Sequence, residues 1–198
     1  MNLPNKITVA RIFVSVAVLV MLLFPWSQVG VEFPVYTIDG NIIVDLKIII
    51  AGVLFVLGSF SDFLDGHIAR SRNIVTDFGK VMDSIADKIL VNGVLIILAN
   101  EGMISIIVPV VIITRDIVVD SCKMISGNKG KVVAASIMGK LKTICMMVGL
   151  SLVMFYNLPF EMIGIPVANV LVIIATILSV ISGIQYFNNS KELFMHDK

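Results

Sequence analysis

The sequence predicts an all-α integral membrane protein, a bundle of six transmembrane helices with both termini on the cytosolic side. Three observations carry that prediction. Apolar residues fill 58% of the 198 positions and the mean hydropathy is +1.00, far above a soluble domain of this length. The apolar positions gather into long runs, and a helix of about twenty residues crosses the hydrocarbon core. Helices are favoured there because they pair their own amides, each of which would cost several kcal/mol unpaired in lipid. Finally, once the runs are counted as spans, only Lys47 of the 15 Lys and Arg residues falls near the outer face, in line with the positive-inside rule. One domain over residues 1–198 accounts for the chain, with no internal repeat or low-complexity segment.

Met1 to Arg11 is a polar lead carrying Lys6 and Arg11, with Pro4 and Asn5 suited to a turn or helix start. The first span is expected from Ile12 to Phe24. It lacks a small-residue cleavage site and ends in Phe24, Pro25 and Trp26, so it reads as a retained span and not as a signal peptide. Pro25 to Asn41 contains Pro25, Gly30, Pro34 and Gly40 with Glu32 and Asp39 but no Lys or Arg, which predicts an irregular outer loop. A second span is expected from near Ile42, without proline, to Arg70. Asp62 stands twenty residues beyond Ile42, about 30 Å along a helix and one hydrocarbon thickness, which sets it at the inner interface. Ser71 to Thr76 connects to a third helix capped by Thr76 or Asp77, whose apolar run is Ile89 to Ala99.

Asn100 to Gly102 is an outer turn, and Met103 to Ile125 a fourth helix carrying Arg115, Asp116 and Asp120. Ser126 to Lys142 is polar and basic. The fifth span, Thr143 to Tyr156, is short by apolar count and is expected to begin upstream near Ala134; Asn157 to Gly164 turns outside, and the sixth span runs from Ile165 to Phe187. Cys122 and Cys145 are too few and too far apart for a metal knuckle or a redox pair, and read as packing residues.

The polar island Ser61 to Lys88 interrupts this apolar pattern. It holds Asp62, Asp65, Asp83 and Asp87, with Gly66, Ala69, Arg70 and Gly79 between them. On helices, offsets of three and four residues share a face, so Asp62 projects with Asp65, and Gly79 with Asp83 and Asp87. Four carboxylates a few ångströms apart repel by several kcal/mol unless protonated or bridged by a cation. Hard oxygen ligands suit Mg²⁺, Mn²⁺ or Ca²⁺. Residue types alone do not separate a proton-accepting carboxylate from a metal ligand among the four. Gly66 and Gly79 let a nucleotide or a neighbouring helix approach the backbone, and Arg70 offers a fork of donors suited to phosphate. His67 and His196 suggest neither ligand nor base.

The pattern D-x-x-D-G-x-x-A-R, eight residues, then G-x-x-x-D-x-x-x-D resembles the signature of the CDP-alcohol phosphotransferases, membrane enzymes of phospholipid synthesis. Asp62, Asp65, Gly66, Ala69, Arg70, Gly79, Asp83 and Asp87 fill every fixed position across residues 62–87. The resemblance implies transfer of a phosphoryl-linked group from a CDP-activated donor. It implies divalent metal, Mg²⁺ or Mn²⁺ and two ions, on Asp62, Asp65, Asp83 and Asp87, with Asp87 also the base. It further implies a donor site at Gly66, Ala69, Arg70 and Gly79, helped by Asn5 and Thr8 in an N-x-x-T-x-x-R lead that ends at Arg11, and a homodimer.

Arg115 with Asp116, followed by KVVAASIMGKLKT from Lys131 to Thr143, is similar to the phosphatidylglycerophosphate synthase branch of that family. This implies CDP-diacylglycerol and glycerol 3-phosphate as substrates, in the cytoplasmic membrane with the active site facing the cytosol. Glycerol 3-phosphate is a dianion near neutral pH, so its pocket needs cations, for which Arg115, Lys140, Lys142 and Arg11 are candidates. Lys123 stands where some relatives carry Arg. The nearest alternative keeps the reaction class and changes the acceptor to inositol phosphate or serine. A divalent-cation transporter is the distant one: transport sites sit near the bilayer midplane, whereas these acids lie at the inner interface beside Arg70, Arg72 and Lys80. No nucleic-acid polymer is implied as a partner.

Overall fold

The computed structural model describes residues 3–38, 42–71, 77–128 and 136–195, with side chains described in these segments apart from 3–7, 62–71, 77–78, 80, 128 and 191–195. Six long helices dominate it: α1 (Leu3–Leu23), α2 (Leu46–Ser71), α3 (Asp77–Asn100), α4 (Ile107–Asn128), α5 (Ile137–Met154) and α6 (Val167–Met195). At 1.5 Å rise per residue, each is long enough to approach or exceed the thickness of a hydrocarbon core of roughly 30 Å. Two, within Ile137–Met154 and Val167–Ser190, combine that length with a sufficiently uniform apolar composition; the apolar parts of α1 and α2, Thr8–Leu23 and Leu46–Ser61, are shorter. The expectation of six equivalent spans is therefore narrowed. The reason is local, since α1, α3 and α4 carry their charged residues several turns inside the helix.

Large apolar side chains face outward on every one of the six helices, among them Phe13, Leu57, Ile96, Ile117, Ile144 and Ile184. Apolar exposure on all six helices suits lipid more than water. Inside, Val18, Phe55, Leu90, Leu98, Ile112, Leu150 and Val172 form one core. Helix α5 packs along α6, α1 lies between α2 and α3, and α4 joins the bundle through α6 and α3. At the α5–α6 crossing a Cβ on Gly149 would lie 3.0 Å from Val172 Cγ2 and 3.2 Å from the Val172 backbone nitrogen, so glycine sets how close these helices come.

The segment after α1 departs from an irregular loop. Strands β1 (Val35–Ile38) and β2 (Ile42–Asp45) pair antiparallel, with Val35 opposite Asp45 and Ile38 opposite Ile42. The second helix consequently starts at Leu46 and not near Ile42. Asp45 explains the switch, because its Oδ1 accepts from Lys47 N at 2.7 Å, a helix cap made by the last residue of the strand. Other boundaries also move, with α6 running from Val167 to Met195, past the expected Phe187. The polar lead is already helical from Leu3, α4 begins at Ile107, and α5 begins at Ile137, one residue past Ser136, whose hydroxyl accepts from Gly139 N at 3.1 Å.

The hairpin and the end of α5 meet at one end of the bundle. Tyr156 OH accepts from Asp45 N at 3.0 Å, and burial raises the phenol above its ordinary value. Buried Asn157 then ties α5 to α6: Nδ2 donates to Ile165 O at 2.7 Å and to Glu161 at 2.9 Å, while Oδ1 accepts from Ala168 N at 3.0 Å. The starts of α1, α3 and α5 therefore lie at the other end, where the signature sits.

Candidate functional site

Helix α3 carries Asp83 and Asp87 one turn apart, with Gly79 one turn before them. Helix α1 packs on α3 and delivers Arg11, a buried guanidinium that donates to Asp83 Oδ1. Arg11 and Asp83, expected in acceptor binding and metal binding respectively, are thus in direct contact. Thr8 is buried one turn earlier on α1. Two hard carboxylates on one face of α3 fit a divalent cation; among the described residues no group of three or more metal-ligating side chains forms. The side chains of Asp62, Asp65, Arg70 and Asn5, and the surroundings of Gly66 and Ala69 at the end of α2, lie outside the described residues.

Helix α4 supplies a second pair of acids at the same spacing, Asp116 and Asp120. Each takes a lysine from a different neighbour. Lys88 of α3, next in sequence to Asp87, donates to Asp120 Oδ2. Lys142 of α5, 8% exposed, donates to Asp116 Oδ1 at 3.0 Å and lies 3.3 Å from Oδ2. Removing a charged lysine from water costs several kcal/mol, and a carboxylate in contact offsets that.

Arg115 approaches Asp116 from the other side. Its Nη1 donates to Asp116 Oδ1 at 3.0 Å, Nη2 to Ser182 Oγ at 2.7 Å and Nε to Ser179 O at 3.3 Å. The stem passes α6 at Gly183, where a Cβ would lie 2.9 Å from Arg115 Cγ. Its guanidinium and the Lys123 ammonium lie 5.9 and 5.7 Å from the Tyr186 ring centroid, within reach of cation–π attraction.

A small cleft of about 30 Å³ is bordered by one acid of each pair, Asp87 and Asp116. Its polar wall consists of Asp87, Lys88, Asn92, Asp116, Lys142 and Thr143, and Val91, Met146 and Met147 close it. The last signature carboxylate thus shares one cavity with a buried, counter-charged lysine. Of the expected acceptor cations, Lys142 lines this cleft. Arg115 instead borders an apolar groove of about 450 Å³ between α4 and α6, and Lys140 is exposed on the first turn of α5.

The family model for CDP-alcohol phosphatidyltransferases matches residues 1–181. The chain belongs to that family. A CDP-diacylglycerol–glycerol-3-phosphate 3-phosphatidyltransferase of Bacillus subtilis (strain 168) is 36% identical over 193 residues, 96% of each chain. A protein of the same name from Rickettsia bellii is 32% identical over 194 residues, 98% of this chain and 97% of that one. Another from Mycoplasma genitalium is 39% identical over 151 residues, 75% of this chain and 63% of its own length.

Within this CDP-alcohol phosphatidyltransferase, sequence reasoning alone passed over Lys88 and Asn92 and named Asp116 only together with Arg115, with no site role of its own. A usable signal was present. Asp116 and Asp120 stand four residues apart in an apolar helix, and charged residues in such a helix face partners or a wet cavity.

Proposed function

We infer that the chain transfers the phosphatidyl group of CDP-diacylglycerol to glycerol 3-phosphate, giving phosphatidylglycerophosphate and CMP. The names of the full-length relatives support this reading. The structural observation that supports it best is the cleft in which Asp87 and Lys142 lie together. It offers a proton acceptor beside a fixed cation, the pair of groups that a phosphorylated alcohol needs.

In the proposed reaction, an acceptor hydroxyl oxygen attacks the phosphorus that carries the diacylglycerol. A new P–O bond forms, the bond to CMP breaks, and the hydroxyl proton passes to the Asp87 carboxylate. Asp62, Asp65, Asp83 and Asp87 would hold Mg²⁺ or Mn²⁺, as two ions, which when bound neutralises charge on the pyrophosphate and on departing CMP. Gly66, Ala69, Arg70 and Gly79, with Asn5 and Thr8, would receive the cytidine diphosphate end. Lys142 would contact the acceptor phosphate directly, with Arg115, Lys140 and Arg11 adding positive charge to that end of the bundle. Six spans, a cytosolic active site in the cytoplasmic membrane and a homodimer complete the reading.

The test is turnover by purified enzyme in lipid nanodiscs with CDP-diacylglycerol and labelled glycerol 3-phosphate, inositol phosphate, serine or glycerol. Glycerol 3-phosphate should be strongly preferred. Equal turnover of an uncharged alcohol would overturn the assignment of the acceptor.

A further inference from the structure

Asp116 has no role in the chemistry just described, yet charge at the cleft converges on it. Its Oδ1 accepts from Arg115 Nη1 and from Lys142 Nζ, both at 3.0 Å. A lysine ammonium has three donors. The two Asp116 oxygens, at 3.0 and 3.3 Å, take up one side of it, and Lys142 is also one of the residues that line the cleft beside Asp87.

Arg115 is differently placed. Its other hydrogen bonds run to α6, to Ser179 O and Ser182 Oγ, and the missing side chain at Gly183 makes room for its stem. It lines the groove between α4 and α6 and not the cleft. Its hydrogen bond to Asp116 links it to the lining of the cleft.

We propose that Asp116 is a positioning residue for the acceptor: braced from α6 by Arg115, it holds the Lys142 ammonium against the cleft, where a phosphate bound beside Asp87 meets it. This rests on the acceptor being a phosphorylated alcohol. It also orders the cations at the site, with Lys142 in contact with the acceptor and Arg115 acting one contact further away.

The full chain in lipid nanodiscs tests this by steady-state kinetics, varying glycerol 3-phosphate and CDP-diacylglycerol separately. Asp116→Asn should raise the KM for glycerol 3-phosphate about ten- to hundredfold, the range for one charge-assisted contact. The donor KM and kcat should stay near their starting values, and Asp116→Glu should recover much of the loss. A residue that merely stabilised the fold would not produce that split.

Because Asp116→Asn leaves two cations without their shared carboxylate, a second variant guards against misfolding. Asp116→Asn combined with Lys142→Gln removes one charge of each sign and should weaken acceptor binding no more than Lys142→Gln alone. Equal weakening of both substrates, a loss confined to kcat, or additive losses in the double variant would overturn the role of Asp116. If the unmodified enzyme instead prefers another phosphorylated alcohol and the Asp116 variants raise the KM for that one, the glycerol 3-phosphate reading fails while the positioning role stands.

Discussion

Asp83 and Asp87 are one helical turn apart, Asp83 taking the Arg11 guanidinium and Asp87 bordering the cleft, and they should respond differently to the same substitution. Asp87 borders the cleft, so Asp87→Asn removes a proton acceptor and should lower kcat about 10²- to 10⁴-fold, with substrate KM values changing far less. Recovery of kcat at high Mg²⁺ would make Asp87 a ligand only. Asp83 faces a guanidinium whose side chain is 1% exposed, although the carboxylate itself is 45% exposed. Asp83→Asn should therefore cost about 1–3 kcal/mol, seen as a melting temperature several degrees lower, as well as weakening metal-dependent activity. An unchanged melting curve would show that the pair with Arg11 contributes little. Stripping metal with a chelator should abolish turnover and leave the fold melting as a unit, with Mg²⁺ or Mn²⁺ restoring activity; turnover that survives chelation would remove the metal proposal. The signature acids were legible in the sequence because their spacing is fixed within one stretch. Lys88, Asp116 and Lys142 come from three helices, and only the packing of α3, α4 and α5 shows that they border one cavity.

Between elements, helix contacts and the hairpin decide where those residues stand. Helix α5, which carries Lys142, rests on α6 at Gly149, where an added methyl would meet Val172 Cγ2 at 3.0 Å and, just behind it, the Val172 backbone nitrogen at 3.2 Å. Backbone cannot rotate away as a side chain can. Gly149→Ala should accordingly destabilise by about 1–3 kcal/mol through overpacking, and Gly149→Val by more, measured as thermal aggregation in detergent. A neutral Gly149→Val would mean the helices can separate without loss. At the opposite end, Tyr156→Phe removes the acceptor for Asp45 N and should cost about 1 kcal/mol. The hairpin had its own signals: the β-branched residues within 35–38 and 42–44 flank Asp39-Gly40, a dipeptide favoured in tight turns. They were masked because apolar residues stand on both sides of the junction, Ile43 and Val44 before it and Leu46 and Ile48 after it, and Asp45 is the only cap that marks where strand becomes helix. Periodicity carries no boundary when both sides of it are apolar.

On the scale of the whole molecule, orientation in the membrane follows from what the two ends of the bundle carry. One end holds the hairpin, the turn after α5, the packed Phe24, Trp26 and Phe33 rings and the Tyr156 hydroxyl. Aromatic residues of this kind favour a membrane–water interface, and Lys47 is the cation nearest that end. The opposite end holds Arg11, Lys88, Lys123, Lys140 and Lys142, and each Lys or Arg that must be carried across hydrocarbon costs roughly 2.5–3.5 kcal/mol at the centre of a span. The charged end should thus face the cytosol, which also gives the cleft access to a water-soluble acceptor. Length and apolar composition together mark α5 and α6 as candidate spans, and the charges that shorten the apolar parts of the other helices gather at this same end. Single cysteines introduced in a background lacking Cys122 and Cys145 test the arrangement. A membrane-impermeant maleimide should label Ser27→Cys and Glu161→Cys on intact cells, and Lys140→Cys only after the membrane is opened. Labelling of Lys140→Cys on intact cells with protection of Glu161→Cys would invert the orientation, and labelling of all three from outside would show that the helices do not form a closed set of crossings.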